Sequence, residues 1–211
     1  MENTYITHIG TDESGKGDFF GPLVIAGAMV DEKNAKYFLE LGIKDSKKLS
    51  DKKMLSMAVE IKKSVPHSII AISNLKYNEL YNNMKNLNKL LAWGHARVIE
   101  NILEHNSCEY ALSDKFGDES LIKSALMKNG RAIRLDQMCK AESDIAVAAA
   151  SVLARATYVS KIQDMEKTYG LKFQKGCSNL VKDDAKIFIE KFGKDRLKEV
   201  CKTHFKTYKE V

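Results

Sequence analysis

Proline is nearly absent from this chain, two in 211 residues, and cysteine is scarce, four in all. So little proline argues against several modules strung on stiff linkers. Cys108, Cys139, Cys177 and Cys201 lie too far apart for the CxxC pairs of zinc or thioredoxin-type sites. A chain this long buries enough surface to fold without disulfide staples, so the four read as plain reduced thiols. Long apolar runs are also missing. The most apolar stretch, Leu23 to Val30, falls far short of the roughly 20 residues a membrane span needs. The opening Met1-Glu2-Asn3-Thr4 has neither the basic nor the apolar region of a signal peptide. The expected setting is the cytoplasm, with no membrane partner.

What is present is an ordinary globular composition, 44% apolar and 29% charged, which is neither that of a disordered chain nor of a fibrous repeat. One domain over residues 1–211 is expected, helical in its C-terminal part from about 161 to 211. The net charge of +6 permits a polyanionic partner without requiring one. Its distribution says more. Residues 1–32 hold six acids against one base, Lys16, whereas residues 44–63 hold seven lysines against three acids and residues 191–211 seven bases against three.

Tyr5 to Thr11, Gly21 to Val30 and Ser68 to Ser73 read as strands, and short connections favour an antiparallel meander. Leucines and isoleucines at helical spacing from Tyr81 to His105 predict one helix of about six turns. A strand at Tyr110 to Ser113, a helix near Glu119 to Lys128 and a strand at Ala132 to Leu135 follow. The alanine-rich stretch from Ser143 to Ser160 predicts a buried helix, and helices near Lys182 to Phe192 and Lys194 to His204 complete the chain. This order implies an α/β fold: a mixed five-stranded sheet, meander plus parallel strands, flanked by helices.

Thr11-Asp12-Glu13-Ser14-Gly15-Lys16-Gly17-Asp18 places three carboxylates at a strand exit before a glycine-rich turn. A solvated acidic loop is the plain reading of such a run. A second acid changes it: Asp114 ends the strand Tyr110-Ala111-Leu112-Ser113 as Asp12 ends the first. If the two strands are parallel neighbours, both acids emerge at the carboxyl edge of the sheet, where ligand sites form in α/β proteins. Glu142 opens the alanine-rich helix and either caps it or completes the cluster. Oxygen ligands without Cys or His suit Mg²⁺ or Mn²⁺. Such ions act in pairs about 3.5–4 Å apart in phosphodiester hydrolysis. Lys44, Lys47 and Lys48 would then form a phosphate-holding wall. Gly15 and Gly17 do not fit a dinucleotide fingerprint, because the turn leads into a strand; they could instead bring bare backbone against a sugar and phosphate.

Together these segments resemble the type 2 ribonuclease H family, and ribonuclease HIII more than ribonuclease HII. The resemblance runs from Asp12-Glu13-Ser14-Gly15-Lys16-Gly17-Asp18-Phe19-Phe20-Gly21-Pro22 through Asp45-Ser46-Lys47-Lys48-Leu49, Tyr77-Asn78 and Asn86-Leu87-Asn88 to Ala92-Trp93. It continues through Lys140-Ala141-Glu142-Ser143, Ala148-Ala149-Ala150-Ser151 and Lys202-Thr203-His204-Phe205. It implies an RNase H-like fold with a C-terminal helical extension, and hydrolysis of the RNA strand of RNA/DNA hybrids with Mg²⁺ or Mn²⁺, two ions when substrate is bound, leaving a 3′-hydroxyl and a 5′-phosphate. It maps Asp12, Glu13, Asp114 and Glu142 onto the four active-site carboxylates. Gly15, Lys16 and Gly17 fall on the loop that reads a ribose 2′-hydroxyl, and Lys47 and Lys48 of the basic wall, with Ser46, are the further expected substrate-binding residues. Asp18 and His204, like Ser46, are candidate equivalents of the family's contact residues. Cys177 stands where HII relatives tend to carry a tyrosine for a single embedded ribonucleotide, so runs of ribonucleotides are the expected substrate. Ribonuclease HIII proteins typically begin with a further substrate-binding domain, and here the motif starts at residue 12. The chain is then a short member or a fragment, acting as a monomer, with hybrid affinity resting on its own basic segments. Two rivals remain: a hybrid-binding module without catalysis, and an RNase H-like nuclease acting on DNA junctions. Trp93 and the leucine stripe read as core, and His95 and His105 as ordinary helix residues.

Overall fold

The computed structural model describes residues 5–43 and 50–211. The expected contacts Ser46, Lys47 and Lys48, with Lys44, lie outside the described residues. Within them the sheet has five strands: β1 (His8–Ser14), β2 (Leu23–Val30), β3 (His67–Ile72), β4 (Tyr110–Asp114) and β5 (Arg134–Met138). Their order is β3-β2-β1-β4-β5. β1 and β3 run antiparallel to β2, while β4 is parallel to both β1 and β5. The mixed sheet is therefore as expected, but β3 is not reached by a hairpin. Two helices, α1 (Glu32–Glu40) and α2 (Asp51–Ser64), intervene, and antiparallel pairing survives because the chain crosses back before β3 starts.

The remaining helices are α3 (Asn74–Met84), α4 (Leu87–Leu103), α5 (Glu119–Ala125), α6 (Ile145–Tyr169), α7 (Asn179–Phe192), α8 (Lys194–Leu197) and α9 (Lys206–Glu210). The single helix expected from Tyr81 to His105 is two. Lys85 adopts a left-handed conformation at φ 51°, and the Asn86 side chain then accepts from the Lys89 N–H to start α4. The apolar periodicity crosses the break because Tyr81, Met84 and Leu87 pack into the same cluster as Leu90 and Leu91. At the other end, the helix expected to reach His204 stops at Leu197. Cys201 instead bridges Phe20 antiparallel, Gly21 N–H donates to Val200 O, and Lys202 N–H donates to Phe19 O. The proposed start of a helical part near 161 falls inside α6.

The sheet's two faces are covered by different helices. Leu23 and Ile25 pack with residues of α3 and α4, and Ile9, Ala111 and Leu135 with residues of α4 and α5. Val24, Ala26, Ala28 and Val30 pack with α1, α2, α6 and α7. The alanines of α6 let it press on the sheet: a Cβ built on Gly10 of β1 would lie 2.1 Å from the Ala146 carbonyl carbon. α6 is long and apolar enough to cross a membrane, yet 78% of its most apolar stretch is buried within the protein, as a core helix requires.

Candidate active site

Because β1 and β4 are parallel with Thr11 opposite Ser113, Asp12 and Asp114 leave neighbouring strands at the same carboxyl edge. Side chains alternate along a strand. Thr11 and Glu13 face α4, where both meet His95, while Asp12 faces α6 and bonds Ser151. Asp114 Oδ1 accepts the Ala141 N–H at 2.9 Å. Glu142 is delivered by a short 3₁₀ turn, Ala141–Ser143, that follows Lys140 in a left-handed conformation. It does not cap α6; Asp144 does, accepting from the N–H groups of Ala146 and Val147. All four acids line one cavity of about 410 Å³, with Gly15, Lys16, Gly17, Asp18, Ser151, Arg155, Tyr158 and Lys175 on its other walls.

The adjacent acids Asp12 and Glu13 are tuned in opposite directions. Burial first, and the charge of Glu13 second, push Asp12 up to about 6, against a hydrogen bond from Ser151 and the Glu13 N–H. Burial would raise Glu13 too, but the hydrogen bond and charge of His95, with the Lys16 ammonium, bring it down to about 2. Lys16 Nζ lies 2.6 Å from Glu13 Oε1. His95 is fully buried, with Nε2 3.2 Å from Glu13 Oε2, Nδ1 2.8 Å from Thr11 Oγ1 and Phe116 stacked on its ring. A carboxylate only accepts, so Nε2 carries the hydrogen that faces Glu13.

The glycine-rich loop divides into a constrained and an open part. Gly15 sits at φ +86°, and a Cβ there would meet Pro22 O at 2.2 Å and the Tyr158 ring at 2.9 Å; at Gly17 a Cβ would meet nothing within 4 Å. Oxygen-only donors crowded at one cavity, one of them raised by burial and by its neighbour's charge, fit a hard divalent cation. Among the described residues no three His, Cys, Asp or Glu side chains form a ready-made ligand cage; Glu13 is turned onto Lys16 and His95, and Asp114 onto Ala141.

Two other expected contacts have local partners. Asp18 lines the cavity, but its Oδ1 accepts the Gly176 N–H at 2.6 Å. His204 stacks on Tyr81 at 4.1 Å inside an aromatic cluster with Tyr77 and Phe205. His95, read as an ordinary helix residue, is instead a buried support for Glu13. Its signal was a polar residue on the apolar stripe of α4, four residues after Leu91. Ser151, Arg155 and Tyr158 were also missed, and their i, i+4, i+7 spacing places them on one face of α6. His105 is exposed, and Trp93 is partly buried within the α3–α4 cluster.

A family model described as Ribonuclease HII matches residues 9–208. Among individual proteins, this chain is 44% identical over 200 residues to a ribonuclease HIII of Protochlamydia amoebophila (strain UWE25), covering 95% of this chain and 66% of that protein. It is 45% identical over 206 residues to a ribonuclease HIII of Chlamydia felis (strain Fe/C-56), covering 96% and 69%. The chain thus spans about two thirds of the length of these relatives. A crystal structure of Bst-RNase HIII in complex with Mn²⁺ matches with a TM-score of 0.90 at 31% identity, over 99% of this chain and 70% of that one.

Proposed function

Given that the chain belongs to the ribonuclease HII family, we propose that it is a divalent-metal-dependent endoribonuclease that cuts the RNA strand of RNA/DNA hybrids, leaving a 3′-hydroxyl and a 5′-phosphate. The observation that carries this reading is the meeting of Asp12, Glu13, Asp114 and Glu142, from three separate segments, at one cavity walled by the glycine-rich loop. These four side chains are the proposed holders of Mg²⁺ or Mn²⁺, which when bound supplies charge neutralisation and an activated water for phosphodiester hydrolysis. The naming of Mn²⁺ with Bst-RNase HIII supports the choice of ion.

The chain's own residues supply positioning. The acids would repel a phosphodiester, so the cations of the cavity wall, Lys16, Arg155 and Lys175, are the proposed phosphate partners. Gly17, open to solvent, offers bare backbone to the ribose, where a 2′-hydroxyl separates RNA from DNA. Ser151 and His95 hold Asp12 and Glu13 in place from opposite faces of the sheet. We further propose that residues 1–211 act as one catalytic unit, since α7 and the segment to Val200 share a core with α6 and β2. The exposed, unpaired thiols of Cys139 and Cys177 support action in the reducing cytoplasm.

The test is cleavage of a labelled RNA/DNA hybrid with Mg²⁺ or Mn²⁺, beside an all-DNA duplex of the same sequence and a chelated control. Cut RNA strand with intact DNA duplex is expected; an intact hybrid at high enzyme overturns the reading.

A further inference from the structure

Beneath the glycine-rich loop lies a cation that this chemistry leaves unused. Lys202 is fully buried. Its ammonium donates to Asp18 O at 2.8 Å and to Gly21 O at 2.6 Å, and lies over the Tyr77 ring, 5.5 Å from its centre. Two carbonyls, a ring face and the nearby charge of Asp18 offset its lost water. Among the described residues no carboxylate forms an ion pair with it. Desolvation holds it well below the ordinary lysine range, at about 7. An apolar side chain of similar volume would fill this space without that penalty. The ammonium is therefore a poor means of filling a core and a good means of fixing two carbonyls.

Those carbonyls bracket the segment that follows Gly15-Lys16-Gly17. Other bonds from the second half of the chain reach the same stretch: Gly176 N–H to Asp18 Oδ1, Phe19 N–H to Gly176 O, Tyr158 hydroxyl to Phe20 O and Gly21 N–H to Val200 O. Among the described residues Lys202 bonds the carbonyls at both ends of the segment, sharing Gly21 O with the Asn74 amide. On the far side, β1 fixes the loop through Ser14. The loop tip is a bridge between two anchored rails, and its height over the cavity depends on where the second rail is held.

We propose that Lys202 is a positioning residue for the RNA-reading loop, its buried ammonium setting the place of Gly15-Lys16-Gly17 against the RNA strand of the hybrid. This rests on the proposed hybrid cleavage, so the test has one arm that needs no substrate. In Lys202→Met, amide hydrogen exchange of the free protein is expected to quicken in residues 15–21 while the sheet stays as protected as in the wild type. In steady-state cleavage the hybrid KM is expected to rise about tenfold with kcat within about twofold, a change of the size that one lost charged hydrogen bond gives. Lys202→Arg, which keeps N–H donors, should recover part of both effects and carries the test if Lys202→Met does not fold. Unchanged exchange in residues 15–21 overturns the proposal, as does an unchanged KM, a fall in kcat alone, or failure of both variants to fold. If the wild type does not cut hybrid, the proposed function falls, and the exchange arm still decides whether Lys202 holds the loop.

Discussion

Gly10 and Ala146 meet backbone to backbone. A methyl group on Gly10 would stand 2.1 Å from the Ala146 carbonyl carbon and 2.2 Å from the Val147 nitrogen. Side-chain rotation cannot relieve such a clash, since the atoms met are main chain at the capped start of α6. Gly10→Ala is therefore expected to destabilise the fold by more than about 3 kcal/mol, the upper part of the range for overpacking. Urea unfolding measures it. A loss under about 1 kcal/mol would mean that α6 moves off β1 easily and that the close seat is not required.

The two loop glycines separate stability from recognition. Gly15→Ala meets Pro22 O at 2.2 Å in a left-handed conformation, so it should lower the melting temperature; Gly17→Ala meets nothing within 4 Å and should leave it unchanged. If Gly17 presents its backbone to the ribose, Gly17→Ala raises the hybrid KM and weakens the preference for RNA over DNA. Equal KM for Gly17→Ala and wild type would remove Gly17 from the interface.

Much of this architecture was legible because its signals are local. Apolar strands that end on Asp12 and Asp114 announce both the strands and the edge where their acids emerge, and the alanine run announces a helix pressed against a sheet. The failures have equally physical causes. Leu197, Val200 and Cys201 fit helical spacing, yet they are buried through a turn and a bridge to Phe20 that no periodicity encodes. Lys85 breaks a helix in a conformation the sequence does not advertise, while the hydrophobic stripe runs on. The support of Glu13 by His95 joins residues 82 apart, and the hold of Lys202 on Asp18 spans 184. Such pairs exist only once β1, α4 and the C-terminal segment are assembled.

Asp12 carries an unfavourable charge in the folded protein without a bound cation. Its carboxyl is raised from 3.8 to about 6 by burial and by Glu13. A raised acid binds its proton more tightly folded than unfolded, so stability falls as pH climbs from about 4 to 6, and the loss is complete above that. Asp12→Asn removes the charge. It should melt higher than the wild type at pH 7 with divalent ions chelated, by a margin that shrinks toward pH 5. Under the proposed function the same change lowers kcat by about a thousandfold, because several kcal/mol of charge stabilisation go with one lost ligand. A variant that melts lower at pH 7 would show that the Asp12 charge is not unfavourable in the fold, and one that turns over near normally would show that Asp12 is not essential.

His8 fastens the start of β1 to the cap of α6, and its charge sets when that link is strong. Nε2 lies 3.0 Å from both Asp144 oxygens and Nδ1 2.7 Å from Ile6 O. Both partners only accept, so both ring nitrogens are satisfied only in the imidazolium. Burial opposes that charge, but the hydrogen bond and charge of Asp144 with the Ile6 carbonyl raise His8 above its usual 6.5. For Asp144, burial is likewise outweighed, by His8 and the N–H groups of Val147 and Ala146, and its carboxyl falls below 3.8. The histidine's contribution is whole below pH 6.5 and fades as pH rises through its raised value; the aspartate's is whole above 3.8 and fades as pH falls. The link is therefore strongest between about pH 4 and 6.5. His8→Leu should lower the melting temperature clearly at pH 5.5 and less at pH 9, since the charged link fades as pH rises. An equal gap at both pH values would mean that packing among Tyr5, His8 and Tyr110, rather than charge, holds β1 to α6.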